Sequence, residues 1–424
     1  MSLKPLVFDK ESEVLQALIQ LLLVTTFFGQ LLRLPLWRTD VNLYLSDILI
    51  VCIFGWFMYV VIRQKIKIWK HPLLLPLLTF LGVISLSWLV NFRLTSLDQF
   101  IVSVMYLFRW TLYTSLVFTV SYLVYARTEV KQTLYRTLLA LIVGFGVLGV
   151  LQYWFMADFH WLQYWGWDPH LHRLASTWLD PGYAGLVLVF GLLMIAPVFK
   201  QRIQYSWFQV VFIWLIVCLG LTFSRASYLS LMTGVVILSL VLRSWRILVL
   251  YAISLLLVVL LIPKPAGEGV NLARTSTVNF RVQNWQEALR VIEDYPLTGV
   301  GFNRYRYVRT DYVVDVPADW QSSHSGAGVD NSWLFIMATT GFIGFVAYGF
   351  YWLQVIMHLD LLSIPKGNVE KLSDLVRYAD QIAIGVLAAW GVHAYFHNSL
   401  FYIPAITVAS MLLGIALAKK YLGG

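Results

Sequence analysis

Three arginines stand out in a chain with few charges. Arg173 follows His170 and His172 just before an apolar stretch, and Arg225 sits in Thr222-Phe-Ser-Arg-Ala-Ser227 at a tight junction between two apolar stretches. Arg281 lies in the longest polar segment, residues 263–331. Arginine carries a permanent charge on a planar fork of donors that matches phosphate oxygens. Three of them meeting at one membrane face would suit a lipid pyrophosphate. Taken singly, each can instead snorkel to the interface or pair with a nearby acid. Arg109 lies inside an otherwise uncharged stretch, and an intramembrane charge is a functional candidate by default. Capping backbone carbonyls at a helix break would explain it equally well.

General-base work would need a group that reaches an acceptor hydroxyl and has a pKa not far from ambient pH. The candidates on the same side are His324, Asp330, Asp180, His160, His170, His172 and His397. His324 and Asp330 sit where the long segment returns to the membrane, so they are the first choices. Asp330-Asn331-Ser332 reads equally well as an N-cap for the stretch that follows, which keeps Asn331 a secondary candidate. His393 and His397 share a helical face at a zinc-compatible spacing, but no third ligand accompanies them and a structural role is favoured. No Asp-x-Asp pair occurs in the outside segments, and Pro317 breaks the series Asp311, Asp315, Asp319. No metal and no cofactor is therefore expected, and arginines would neutralise a departing diphosphate. Gly299-x-Gly301 lacks the strand-to-helix context of a dinucleotide site.

The elements that must hold these residues follow from composition. Of 424 residues 59% are hydrophobic and 12% charged, with 18 Trp and a mean hydropathy of +0.72. A soluble domain carries about 25% charge, so a soluble enzyme, a disordered chain and a disulfide scaffold are excluded. Cys52 and Cys218 both lie in apolar runs. The pattern predicts an all-α integral membrane protein of about twelve spans, near 14–32, 41–62, 71–92, 99–126, 137–157, 181–199, 206–224, 226–242, 247–262, 332–357, 381–397 and 400–418. No cleavable signal peptide is expected, because the run Val14–Leu32 has no small-residue site after it. Nine spans fall within 1–262 and three within 332–424, with the large loop 263–331 between them.

Charge placement sets the orientation. The connector 63–70 has four basic residues and no acid, which predicts a cytoplasmic position. Alternation then puts 18 of the 31 basic residues in cytoplasmic segments and five in short outside loops, with both termini inside. The net charge of +9 thus reads as orientation rather than as nucleic-acid binding. In the loop a helix is expected over about 277–294, capped by Ser276 or Thr277 and ended by Pro296, Gly299 and Gly301. Val278, Val282, Trp285, Leu289 and Ile292 form one apolar stripe, with Arg281 on its flank facing inward. Such a helix would lie on the membrane or cap the bundle.

Four stretches together resemble the O-antigen ligase and polymerase superfamily of membrane glycosyltransferases. They are Arg173-Leu-Ala-Ser-Thr-Trp-Leu-Asp-Pro181; Thr222-Phe-Ser-Arg-Ala-Ser-Tyr228; Arg281-Val-Gln-Asn-Trp285 with Asp294-Tyr-Pro-Leu-Thr-Gly-Val-Gly301; and Asp330-Asn-Ser-Trp-Leu334 with Thr340-Gly-Phe-Ile-Gly344. The likeness covers roughly residues 165–345. It implies transfer of a glycan from undecaprenyl diphosphate to a hydroxyl of a lipid, glycan or protein acceptor, on the periplasmic side of a bacterial inner membrane, as in lipopolysaccharide biosynthesis. Ligases of this family commonly carry a loop histidine followed by Asn; here that position reads Asp330-Asn331. Asp330 or His324 would then take the proton, or the chain works without a dedicated base. A rival from another class is a transporter or flippase for a lipid-linked glycan or small anion. Paired broken helices would favour it, and none is apparent in the sequence. A structural membrane subunit is the third reading.

Overall fold

The computed structural model describes residues 10–34, 41–165, 167, 169–201, 206–265, 267–313 and 328–418. In chain order the helices are α1 (Lys10–Phe28), α2 (Leu45–Arg63), α3 (Leu74–Val90), α4 (Leu97–Ala126), α5 (Thr128–Phe155), α6 (Pro181–Ile195), α7 (Ser206–Leu221) and α8 (Arg225–Leu242). They continue with α9 (Trp245–Leu261), α10 (Ser276–Asp294), α11 (Tyr305–Val308), α12 (Ser332–Met357), α13 (Leu372–Leu375), α14 (Ala379–His393) and α15 (Ile403–Leu417). Each of the twelve apolar stretches contains a helix. Eight helical segments are long and apolar enough to cross a membrane; α3, α7, α9 and α15 are apolar but shorter, within 10–17 residues.

Helix α6 is the hub. Its sequence is apolar all round, as a fully enclosed helix must be, and every residue from Pro181 to Ile195 except Tyr183 is buried. The carbonyls of its last turn have no partner within the helix. Tyr251 Oη donates to Leu192 O (2.7 Å) and Tyr135 Oη to Met194 O (2.6 Å). Around this hub α8 runs along α14, α4 along α15 and α3 along α12. Small residues permit the close approaches: a Cβ on Gly234 would stand 2.9 Å from the Gly385 carbonyl oxygen.

One helix is broken. Within α12, Gly341 has φ 66° and ψ −170°, a conformation open essentially to glycine alone. The break frees backbone groups that lipid cannot satisfy, and the end of the long connector supplies their partners. Val300 N–H donates to Ala338 O (2.9 Å), Gly301 N–H to Thr339 O (2.8 Å) and Phe342 N–H to Pro296 O (2.8 Å). From α3, Asn91 Nδ2 donates to Gly299 O (2.8 Å), and Ser87 Oγ to the carbonyls of Thr298 and Thr339. Pro296, Gly299 and Gly301 thus do more than end a surface helix. They form a seam that carries the connector into the bundle, where Val300, Phe302, Arg304 and Tyr305 are buried.

The helix of the connector begins at Ser276 with Thr275 as N-cap, rather than the expected Ser276 or Thr277, and Thr275 makes no side-chain cap. Its packed face also differs from the expected stripe. Asn284, Ala288 and Val291 are buried and Arg281 is half-buried beside them, whereas Val278, Val282 and Leu289 are exposed. Apolar periodicity locates apolar side chains; it does not say whether lipid or protein covers them.

Candidate active site

The described residues enclose a cavity of about 1070 Å³ where α10, the starts of α2, α6 and α8, and the turns before α12 and α15 come together. Arg173, Arg225, Arg281, Asp330, Asp180 and Arg109 all line it. Six residues spread over more than 200 positions of sequence therefore share one space.

Arg173 is held by the end of α7. Its Nε donates to Thr222 O (2.9 Å) and one terminal nitrogen to Phe223 O (3.5 Å), carbonyls left open where that helix stops. Arg225 opens α8, which Ser224 caps through its side chain. One nitrogen of its fork donates to Leu272 O (3.1 Å) and Arg274 O (3.0 Å), the other to Thr277 Oγ1 (3.5 Å), so it ties the foot of α10 to the bundle. Arg281 reaches in from α10 over the ring of Phe396 at 6.0 Å, and its buried Nε has no hydrogen-bond partner among the described residues. None of the three lies within 4 Å of a carboxylate among the described residues. Neither simple pairing with an acid nor snorkelling alone accounts for them. Two spend part of their forks on backbone carbonyls, and the acids that act most on Arg173 and Arg281, Asp180 and Asp330 respectively, do so without a direct ion pair. Burial, and then Arg274 close by, push Arg173 down to about 10. Burial also lowers Arg281, while Asp330 opposes the shift.

Asp330 lies open to the cavity but surrounded by protein. That enclosure raises its pKa above the usual carboxylate range, with Arg281 pulling it down and Asp180 pushing it up. Asn284 Oδ1 accepts the Asp330 N–H at 2.8 Å and Trp285 Nε1 donates to the Asp330 carbonyl at 3.3 Å, so α10 positions this residue directly. Asp180 caps α6, its Oδ1 accepting the Tyr183 N–H at 2.9 Å, and enclosure raises its pKa too. Asn331 points elsewhere: its Oδ1 accepts the N–H groups of Trp333 (2.9 Å) and Leu334 (3.1 Å), so it is the N-cap of α12 and does not line the cavity. His324 lies outside the described residues.

The other histidines divide. His170, His160 and His397 line the cavity. His160 bonds Asp158 at 2.5 Å, and burial with Arg173 nearby depresses His170. His397 stacks on His393 at 4.5 Å, and the His393 Nε2 meets Gly182 O at 3.1 Å. Among the described residues no group of three possible ligands forms around this pair.

Arg109 has both an acid and a carbonyl. Its guanidinium donates to Asp47 Oδ2 at 2.8 Å and to the Asn42 carbonyl, and it lies over the rings of Tyr106 (5.3 Å) and Tyr44 (5.8 Å). Sequence reasoning missed Asp47, which opens α2. It also missed Arg274, Arg306 and Arg309, which line the cavity, and the pairing of Arg309 with Glu287 at 2.7 Å. Asp47 is the first acid of an otherwise apolar span, so it could have been found as the partner owed to Arg109.

A helical membrane protein with an arginine-rich cavity under a connector helix is the class these features define. Residues 210–349 match the family model described as O-antigen ligase, overlapping the stretch whose motifs resemble the O-antigen ligase and polymerase superfamily. Arg225, Arg281 and Asp330 fall inside the match; Arg173 precedes it. No curated protein matches the chain.

Proposed function

We propose that the protein transfers a glycan from an undecaprenyl-diphosphate carrier to the hydroxyl of a lipid, glycan or protein acceptor, on the periplasmic face of a bacterial inner membrane. The observation that carries this reading is the meeting of Arg173, Arg225 and Arg281, unpaired with acids, in the same cavity as Asp330. Guanidinium groups that make no direct ion pair in an enclosed site favour a ligand with concentrated negative charge, and a diphosphate supplies it.

In this mechanism the acceptor oxygen attacks the anomeric carbon while the bond from that carbon to the phosphate oxygen breaks. The electron pair leaves with undecaprenyl diphosphate, whose charge the arginines hold without a metal ion. The acceptor proton goes to Asp330, the base brought beside Arg281 by α10. A single displacement inverts the anomeric carbon. The ends of the chain and the connector 63–70 would lie on the cytoplasmic side, following the basic residues there.

Arg281 gives the cleanest test, because its guanidinium holds no backbone group among the hydrogen bonds described for it. Arg281→Ala should lower glycan transfer by about 10²–10³-fold, the cost of one oxyanion donor, with the purified protein still folded. Arg225→Ala should abolish transfer too, and Arg225→Lys should not rescue it fully, since a single ammonium nitrogen lacks the planar fork that reaches two carbonyls, the Thr277 hydroxyl and a phosphate together. Normal transfer by Arg281→Ala in reconstituted vesicles supplied with lipid-linked glycan would refute the clamp.

A further inference from the structure

The cavity has a second chemical character away from the three arginines. Its wall toward α2 and α4 is formed by Tyr44, Tyr106, Trp110 and Tyr402 with Gln30 and Asn42. Charge is balanced here, because Asp47 neutralises Arg109. The amide of Gln30 serves two tyrosines, accepting from Tyr44 Oη at 2.8 Å and bonding Tyr402. Tyr402 in turn stacks on Tyr183 at 3.9 Å, and Tyr183 follows Asp180 at the start of α6. The wall is therefore continuous with the arginine end. One group on it is left over: Asn42 Oδ1 is buried without a hydrogen-bond partner among the described residues.

Such a surface does not suit a second phosphate, which would need uncompensated cations. Nor does it suit an isoprenoid chain, which would leave Asn42 Oδ1 buried and unpaired. Aromatic faces among planar amides and hydroxyls suit a pyranose, whose C–H face packs on a ring while its hydroxyls exchange hydrogen bonds at the edge. We infer that the wall formed by Tyr44, Tyr106, Trp110, Tyr402, Gln30 and Asn42 is a saccharide subsite that holds a sugar ring of the donor or of the acceptor. The inference rests on the transfer reading above and names which part of the substrate lies where.

The test measures binding to the full chain in nanodiscs. The probes are undecaprenyl diphosphate, the lipid-linked oligosaccharide extracted from the host's own membranes, and oligosaccharide released from the same cells' envelope glycans. Asn42→Ala removes a side-chain oxygen that holds no other group, and Tyr106→Leu removes one ring. For a donor sugar, both variants should lose about tenfold or more of the extra affinity that the oligosaccharide gives the carrier. Their affinity for bare undecaprenyl diphosphate should stay unchanged. For an acceptor sugar, the loss should appear with the released oligosaccharide instead. Retention of both by both variants would overturn the subsite. Arg281→Ala reports separately: if it leaves the affinity for bare undecaprenyl diphosphate intact, the diphosphate clamp fails while the sugar measurement stands.

Discussion

At the residue scale the pair that matters most is Asp330 and Arg281. A base acts only when deprotonated, so transfer should rise with pH through the Asp330 pKa. Enclosure places that limb above the ordinary value of 3.8, and Arg281 holds it down. Removing the Arg281 charge should therefore move the acid limb upward in pH, an effect that simple loss of substrate affinity would not produce. Asp330→Asn should lower the maximal rate by about 10²–10⁴-fold while leaving the affinity for undecaprenyl diphosphate nearly intact. A pH–rate profile of the two variants beside the parent checks both points. An unchanged rate for Asp330→Asn would remove it as the base. Asn331 behaves differently because its side chain is committed to α12: its replacement by Ala should cost about 1 kcal/mol of stability through the lost cap, read by thermal unfolding.

At the element scale the broken α12 organises the site. The seam at 296–301 fixes where the connector enters the bundle and thereby anchors the C-terminal end of α10, while Arg225 ties down its N-terminal end. Gly341 and Gly299 are required by geometry: a Cβ on Gly341 would meet the Leu297 carbonyl carbon at 2.2 Å, and one on Gly299 would meet Thr339 C at 2.4 Å. Both positions have positive φ, 66° and 61°. Gly341→Ala should destabilise by about 1–3 kcal/mol from the backbone alone, and further from overlap with Leu297. Thermal unfolding in detergent gives the magnitude, and faster proteolysis of the connector would show that the seam has opened. Unchanged melting and cleavage would mean that the connector docks by some other contact. The glycines and Pro296 were visible in the sequence as helix terminators. Their pairing with α12 was not, because Val300 and Ala338 hydrogen-bond across 38 positions that no local pattern connects.

At the scale of the whole molecule the cavity lies at the ends of α2, α6, α8 and α15 that the charge pattern assigns to the outside. Cysteine labelling tests this, because the chain has only Cys52 and Cys218 to replace. On a Cys52→Ser, Cys218→Ala background, a cysteine at the exposed Gln283 of α10 should react with a membrane-impermeant maleimide in intact cells. One at the exposed Lys67 should react only after permeabilisation. The reverse result would invert the molecule and place the site in the cytoplasm.

The sequence by itself determined the apolar stretches, each of which contains a helix, because backbone polar groups in lipid must be satisfied within the segment. It also singled out Arg173, Arg225, Arg281 and Asp330, because charges in so apolar a chain are scarce. What only the tertiary structure decided is which groups meet. The Asp47 partner of Arg109, the inward face of α10 and the tyrosine wall beside Asn42 all depend on contacts between distant segments. Helix periodicity reports how side chains are spaced around one axis. It carries nothing about the neighbouring axis, and a cavity is defined by several axes at once.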